Sequence, residues 1–262
     1  MLDLTAEGID RISSLLEFDG LLPQLANLAG QNLPRYPLPE VRLLTPVERQ
    51  EVWAVGVTYL RSKRARMDES DFSATAYDRV YEAARPELFF KALPDKVVST
   101  GEAVGIRKDA HWTVPEPELA FVLNSRGKLV GFTIGNDMSA RDIEGENLLY
   151  LPQAKIYDRS CAIGPWIRVG VTESEARTWA IHLQIERDGQ LAFAGETSVN
   201  RIKRTFEELV NYLCRSQTFA HGAVLLTGTG IVPPDDFTLQ PGDRIEISID
   251  GIGRLQNSVV EV

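Results

Sequence analysis

Pro115-Glu116-Pro117-Glu118-Leu119-Ala120-Phe121-Val122-Leu123 reads as a strand with an acidic head and an apolar body. In an extended chain, residues two apart project from the same face, so Glu116 and Glu118 aim two carboxylates at one point. The turn Asn124-Ser125-Arg126-Gly127 lets a second apolar strand, Leu129 to Ile134, pair back on the first. That pairing returns Gly135-Asn136-Asp137 to the neighbourhood of the two glutamates, with Asp137 as a third acid. Glu-x-Glu alternation also occurs on the wet face of an amphipathic strand. Here, however, Trp112, Val114, Leu119 and Phe121 crowd the flanks, and Asp137 ends a strand that is apolar almost throughout. Buried acids grouped in this way need a cation. Three carboxylates without a nearby His or Cys suit a hard divalent ion, Mg2+ first and Mn2+ or Ca2+ as substitutes.

The rest of the composition sets limits. A chain of 262 residues accommodates one large domain and a small appendage, and 44% hydrophobic with 25% charged residues is ordinary for a globular protein. Acids outnumber bases 37 to 28, for a net charge of -9, which argues against a nucleic-acid partner. The N-terminus lacks a basic region followed by an apolar core, and no apolar run reaches membrane-spanning length. A cytoplasmic protein with no membrane partner is expected. Cys161 and Cys214 lack the spacing of a metal or redox motif and read as small core residues.

Two short amphipathic helices, Ala6 to Leu16 and Leu21 to Leu28, are expected before Gly30. Pro34, Pro37, Pro39 and Pro46 then make an extended connector, so residues 1–46 form a small N-terminal segment and 47–262 the main domain. The main domain opens on a buried strand at Val52 to Val57. The charge-dense stretch Leu60 to Arg85 follows, and reads either as an active-site lid (about 62–84) or as a solvated surface helix. Strands are expected at Leu88 to Lys91, Trp166 to Val169, Ala180 to Glu186, Leu191 to Glu196, Ala223 to Leu226 and Arg244 to Ile249. One helix, Arg201 to Arg215, interrupts them. The fold class is therefore mixed α+β and β-rich.

Ser139-Ala140-Arg141-Asp142 directly follows Asn136-Asp137, and with Glu116, Glu118 and the downstream Lys155 it resembles the hallmark of the fumarylacetoacetate hydrolase superfamily. The resemblance covers about residues 50 to 250. It implies a rolled, mixed β-sandwich, Mg2+ or Mn2+ held by Glu116, Glu118 and Asp137, and a homodimer or higher homo-oligomer. Two departures matter. Members that hydrolyse carbon-carbon bonds carry Asn-Tyr-x-x-His after the first core strand, where this chain has Thr58-Tyr59-Leu60-Arg61-Ser62 and so lacks the histidine base. The usual Gly-Thr-Pro-x-Gly-Val-Gly is altered to Gly228-Thr229-Gly230-Ile231-Val232-Pro233-Pro234. These, with Arg85-Pro86-Glu87-Leu88-Phe89-Phe90-Lys91 and the stretch Glu146 to Tyr157, are similar to the branch that dehydrates 2-keto-3-deoxy pentonates to 2,5-dioxopentanoate.

Such a reaction on a small 2-keto acid removes a C3 proton and expels the C4 hydroxyl, so one group must accept a proton and another must donate one. Lys155 and Glu87 are the candidates, in either order, placed beside the three carboxylates rather than among them. Phe89, Tyr157 and Thr229 are the expected substrate contacts. Arg141 reads as an ion-pair partner of Asp142 or Glu144. The alternative is an acylpyruvate or diketo-acid hydrolase, or a related decarboxylase or isomerase, using the same metal. His111, His182 and His221 are expected to be surface or packing residues.

Overall fold

The computed structural model describes residues 1–59 and 79–262. The strands, in chain order, are β1 (Glu51–Gly56), β2 (Glu87–Ala92), β3 (Val97–Val98), β4 (Ala103–Ile106), β5 (Thr113–Val114), β6 (Pro117–Leu123), β7 (Leu129–Asp137), β8 (Ser139–Ala140), β9 (Cys161–Val169), β10 (Ala180–Arg187), β11 (Gln190–Ser198), β12 (Ala223–Leu226), β13 (Arg244–Ile249) and β14 (Gly253–Glu261). The α-helices are α1 (Ile12–Leu16), α2 (Leu21–Gly30), α3 (Arg141–Glu146), α4 (Leu151–Lys155), α5 (Glu173–Ala176) and α6 (Phe206–Cys214). A seven-stranded mixed sheet runs β2-β1-β12-β6-β7-β9-β3, a five-stranded sheet runs β11-β10-β13-β14-β4, and β5 pairs with β8.

Strand β6 is apolar on both faces because both are covered. From one face Leu119, Phe121 and Leu123 join Phe132 and Ile134 against Ile181, Leu183, Ile185, Ile245 and Ile247 of the smaller sheet. On the other face Ala120 packs with Val52, Ala54, Ala92, Val97, Cys161, Ile163, Val224 and Leu226. Ala92 ends β2 at one edge of the sheet and Val97 begins β3 at the other. Their membership of one cluster means that the sheet rolls until its edges approach. Small side chains suit so tight an interior, and a Cβ at Gly135 would collide with Leu226. The mixed, β-rich expectation is met.

Local chemistry moves several element boundaries. Gly8, at φ +71°, breaks the first expected helix into a turn at Thr5–Glu7 and the short α1. Helix α6 starts at Phe206 because the Thr205 hydroxyl accepts the Glu208 amide at 3.1 Å as an N-cap, leaving Val199–Arg201 as a separate 3-10 turn. The N-terminal segment docks on the β6–β7 turn, where Glu17 accepts the Ser125 amide at 2.8 Å and hydroxyl at 2.7 Å, and the Asn124 amide donates to Leu16 O at 3.3 Å. Most of the expected lid, residues 60–78, lies outside the described residues. Among the described residues no helix is long and apolar enough to cross a membrane.

Candidate active site

Strand register carries the chemistry-bearing residues to one place. Glu118 pairs with Gly135, and Gly135 with Ile163, so Glu118 and Asp137 lie on the inner face of the rolled sheet. Across β1, Ala54 pairs with Phe89 and Gly56 with Glu87, which puts both β2 side chains on that same face. Glu116 precedes β6 rather than lying in it, yet one carboxylate oxygen from each of Glu116, Glu118 and Asp137 falls within 4.8 Å of the others. All three acids are buried. They line a narrow cavity together with Val55, Gly56, Val57, Phe89, Gly228 and Thr229.

Three buried cations hold Glu116 and Asp137. Lys155, at the C-terminus of α4, donates to Glu116 Oε2 at 2.8 Å, Asp137 Oδ2 at 3.0 Å and Ser139 Oγ at 2.5 Å. Its amine therefore sits among the carboxylates, correcting the expectation that it stands beside them. The motif spacing could show proximity only, whereas α4 brings the nitrogen between two acids. Arg141 pairs with Glu116 at 3.0 Å and with Glu144 at 4.0 Å. Asp142, the other expected partner of Arg141, instead accepts the His111 amide at 2.6 Å. Lys91 lies 2.5 Å from Asp137 Oδ1. That contact is an ion pair whose angle falls outside a directed hydrogen bond, so Asp137 Oδ1 is buried with no hydrogen-bond donor aimed at it.

These residues fit a hard divalent cation. Burial, followed by the neighbouring Asp137 and Glu116 charges, pushes the Glu118 carboxyl well above its ordinary range, so this group is short of positive charge. Glu118 keeps one strong donor, the Gly228 amide at 2.5 Å. Gly228 adopts φ +87°, a left-handed conformation natural to glycine, and Thr58 Oγ1 stands where a Cβ would go. Among the described buried groups here, four carboxylates (Glu116, Glu118, Asp137, Glu144) face three cations (Lys91, Arg141, Lys155).

The remaining expected residues take varied places. Phe89 lies under the Lys155 amine, 5.8 Å from ring centroid to nitrogen. Glu87 is half-buried on β2, its carboxylate against Gly56. Thr229 lines the cavity, but its hydroxyl is engaged with the Ile231 amide and carbonyl, each at 3.2 Å. Tyr157 is not among the cavity-lining residues. Its ring lies 5.7 Å from the Arg107 guanidinium carbon, and burial, with Asp137 nearby, pushes its hydroxyl pKa upward. His111 and His221 are exposed and His182 stands 3.5 Å from Glu196, so no histidine reaches the site. Sequence reasoning missed Lys91, Ser139 and Gly228 as site groups. Parity along Glu87, Phe89 and Lys91 was the available signal for Lys91.

The family model described as fumarylacetoacetate (FAA) hydrolase C-terminal matches residues 51–260. The chain belongs to the fumarylacetoacetate hydrolase family. A relative from Haloferax volcanii, a probable 2-keto-3-deoxyxylonate dehydratase, is 49% identical over 217 residues, covering 83% of this chain and 74% of its own. The 2-dehydro-3-deoxy-D-arabinonate dehydratase of Saccharolobus solfataricus is 43% identical, covering 85% of this chain and 76% of its own. A solved structure of 2-keto-3-deoxy-D-arabinonate dehydratase complexed with magnesium and 2,5-dioxopentanoate superposes with a TM-score of 0.78 at 39% identity, spanning 94% of this chain and 82% of that one. Within the fumarylacetoacetate hydrolase family, then, relatives of this similarity bear dehydratase names.

Proposed function

We propose that the chain is a Mg2+-dependent dehydratase that converts a 2-keto-3-deoxy pentonate to 2,5-dioxopentanoate in pentose breakdown. The observation that carries this reading is the Lys155 amine set between two of three convergent buried carboxylates, in a family member 43–49% identical to named sugar-acid dehydratases. Glu116, Glu118 and Asp137 hold the ion. Bound there, Mg2+ supplies Lewis-acid stabilisation of the charge that develops on the 2-keto oxygen.

Lys155 and Glu87 divide the proton transfers. Lys155 has all three N–H bonds directed at Glu116, Asp137 and Ser139, so it must release one of these to engage substrate. The ammonium held by two carboxylates is suited to giving a proton to the departing C4 oxygen, and Glu87, at the cavity edge, to taking one from C3. Phe89 walls the cavity beside Lys155, the Thr229 turn faces the substrate carboxylate, and Tyr157 supports the site from behind.

In the same reading, residues 47–262 form the catalytic domain and 1–46 an appendage, and the enzyme works in the cytoplasm as a homodimer or larger homo-oligomer. Purified protein with Mg2+ is to be assayed against 2-keto-3-deoxy pentonates, the corresponding hexonates and acylpyruvates. Dehydration of a pentonate is expected, and turnover of acylpyruvates alone would reject the proposal.

A further inference from the structure

Lys91 is a fully buried ammonium that the chemistry above leaves without a task. In β2 the register with β1 slips at this residue: Phe90 pairs with Trp53 and Ala92 with Val52, so Lys91 is the extra residue. An inserted residue of this kind re-aims its side chain and is common beside active sites. The Lys91 amine enters the inner face, lies 2.5 Å from Asp137 Oδ1, donates to Met138 O at 3.0 Å and also donates to Lys155 O. Charge balance explains the first contact but not the other two. The carbonyls belong to the segment that carries Asp137 and to the residue that carries the reactive amine. Lys155 O is held again by Ser160 Oγ at 3.0 Å.

We infer that Lys91 is a positioning residue that sets the Lys155 amine relative to the ion on Asp137, by tying the Met138 and Lys155 carbonyls and the Asp137 carboxylate to one nitrogen. This rests on the function proposed above. Geometry of this sort acts on proton transfer more than on binding, because misplacing a reacting group by about 1 Å can cost about 100-fold in rate.

The test uses full-length enzyme with Lys91→Met and with Lys91→Gln, which keeps an uncharged donor for a carbonyl. Mn2+ affinity is read from the free-ion electron paramagnetic resonance signal, and kcat, KM and the isotope effect with C3-deuterated substrate are measured. The expected result for Lys91→Met is Mn2+ binding within about tenfold of wild type, kcat reduced by about 100-fold, KM little changed and a smaller isotope effect, because loss of the C4 hydroxyl, which Lys155 assists, becomes the slow step. Lys91→Gln should recover part of kcat. Wild-type kcat and isotope effect in folded Lys91→Met would overturn the inference. So would loss of Mn2+ binding, or failure of both variants to fold even with Mn2+, since Lys91 would then build the site or the fold. Exchange of pyruvate methyl protons in heavy water needs only the C3 base and should stay near wild type in Lys91→Met. An enzyme that exchanges pyruvate but dehydrates no sugar acid rejects the substrate reading, whereas exchange slowed as much as turnover in Lys91→Met overturns the inference about Lys91.

Discussion

Replacing Lys155 by Met removes an ammonium that contacts Glu116 at 2.8 Å and Asp137 at 3.0 Å, and all three residues are buried. Deleting one partner of a buried ion pair costs about 3–5 kcal/mol, because the remaining charge is left uncompensated. For a chain of this length each kcal/mol moves the melting temperature by roughly 2–4 °C, so metal-free Lys155→Met should melt about 6–20 °C below wild type. Mg2+ should then recover more stability in the variant than in wild type, because the ion no longer meets a cation already seated between its ligands. Turnover should nevertheless fall by about 10²- to 10⁴-fold, as for loss of a general acid or base. Calorimetric scans of both proteins in chelator and in saturating Mg2+ separate these effects. A metal-free variant that melts with wild type, or one that gains no more from Mg2+, would refute the placement of the amine among the metal ligands.

Glu118→Gln should abolish both activity and the Mg2+-dependent rise in melting temperature. The metal-free wild type should also lose stability as pH rises above the ordinary glutamate value of 4.5, since the folded state holds a proton that the unfolded chain releases; calorimetry across pH should find that slope reduced in Glu118→Gln. Gly56→Ala places a Cβ against the Glu87 carboxylate, 2.8 Å from its Cδ, so kcat should drop about 100-fold while Mg2+-dependent stabilisation persists; near-normal turnover would exclude Glu87 from proton transfer. Burial pushes the Cys161 thiol up to about 12, so iodoacetamide at pH 8 should leave Cys161 unmodified in native protein, and peptide mass spectrometry showing it alkylated would contradict its burial.

The sequence disclosed the carboxylate centre because strand periodicity is short-ranged. Glu118 and Asp137 follow from one hairpin, and the strands Ala223–Leu226 and Arg244–Ile249 coincide with their apolar runs. Elements whose reason lies elsewhere in the chain were not legible. Strand β14 carries Gln256, Asn257 and Ser258 and is a strand because β13 and β4 flank it. Helix α4 is five residues long and owes its place to the contacts of Lys155 rather than to helix propensity. The ion-pair network failed to show for the same reason. Arg141 stands beside Asp142 and three residues before Glu144 in sequence, but its nearer ion-pair partner, Glu116, is supplied by the segment just before β6, 25 residues away.

Among the described residues strand β2 has a single neighbour, β1, whereas the strands carrying Glu118 and Asp137 are hydrogen-bonded on both sides. Amide protons on a doubly paired strand exchange through large openings of the molecule, and those on a border strand through local fraying. Glu87 and Phe89 thus ride on the part of the sheet that detaches at least cost, while Glu118 and Asp137 sit where detachment costs most. Under the roles proposed above, heat should silence this protein in two stages: activity lapses when the border strand peels away, at a temperature where the ion remains bound and the core remains intact. Recovery after brief warming then requires only one strand to settle back into its groove.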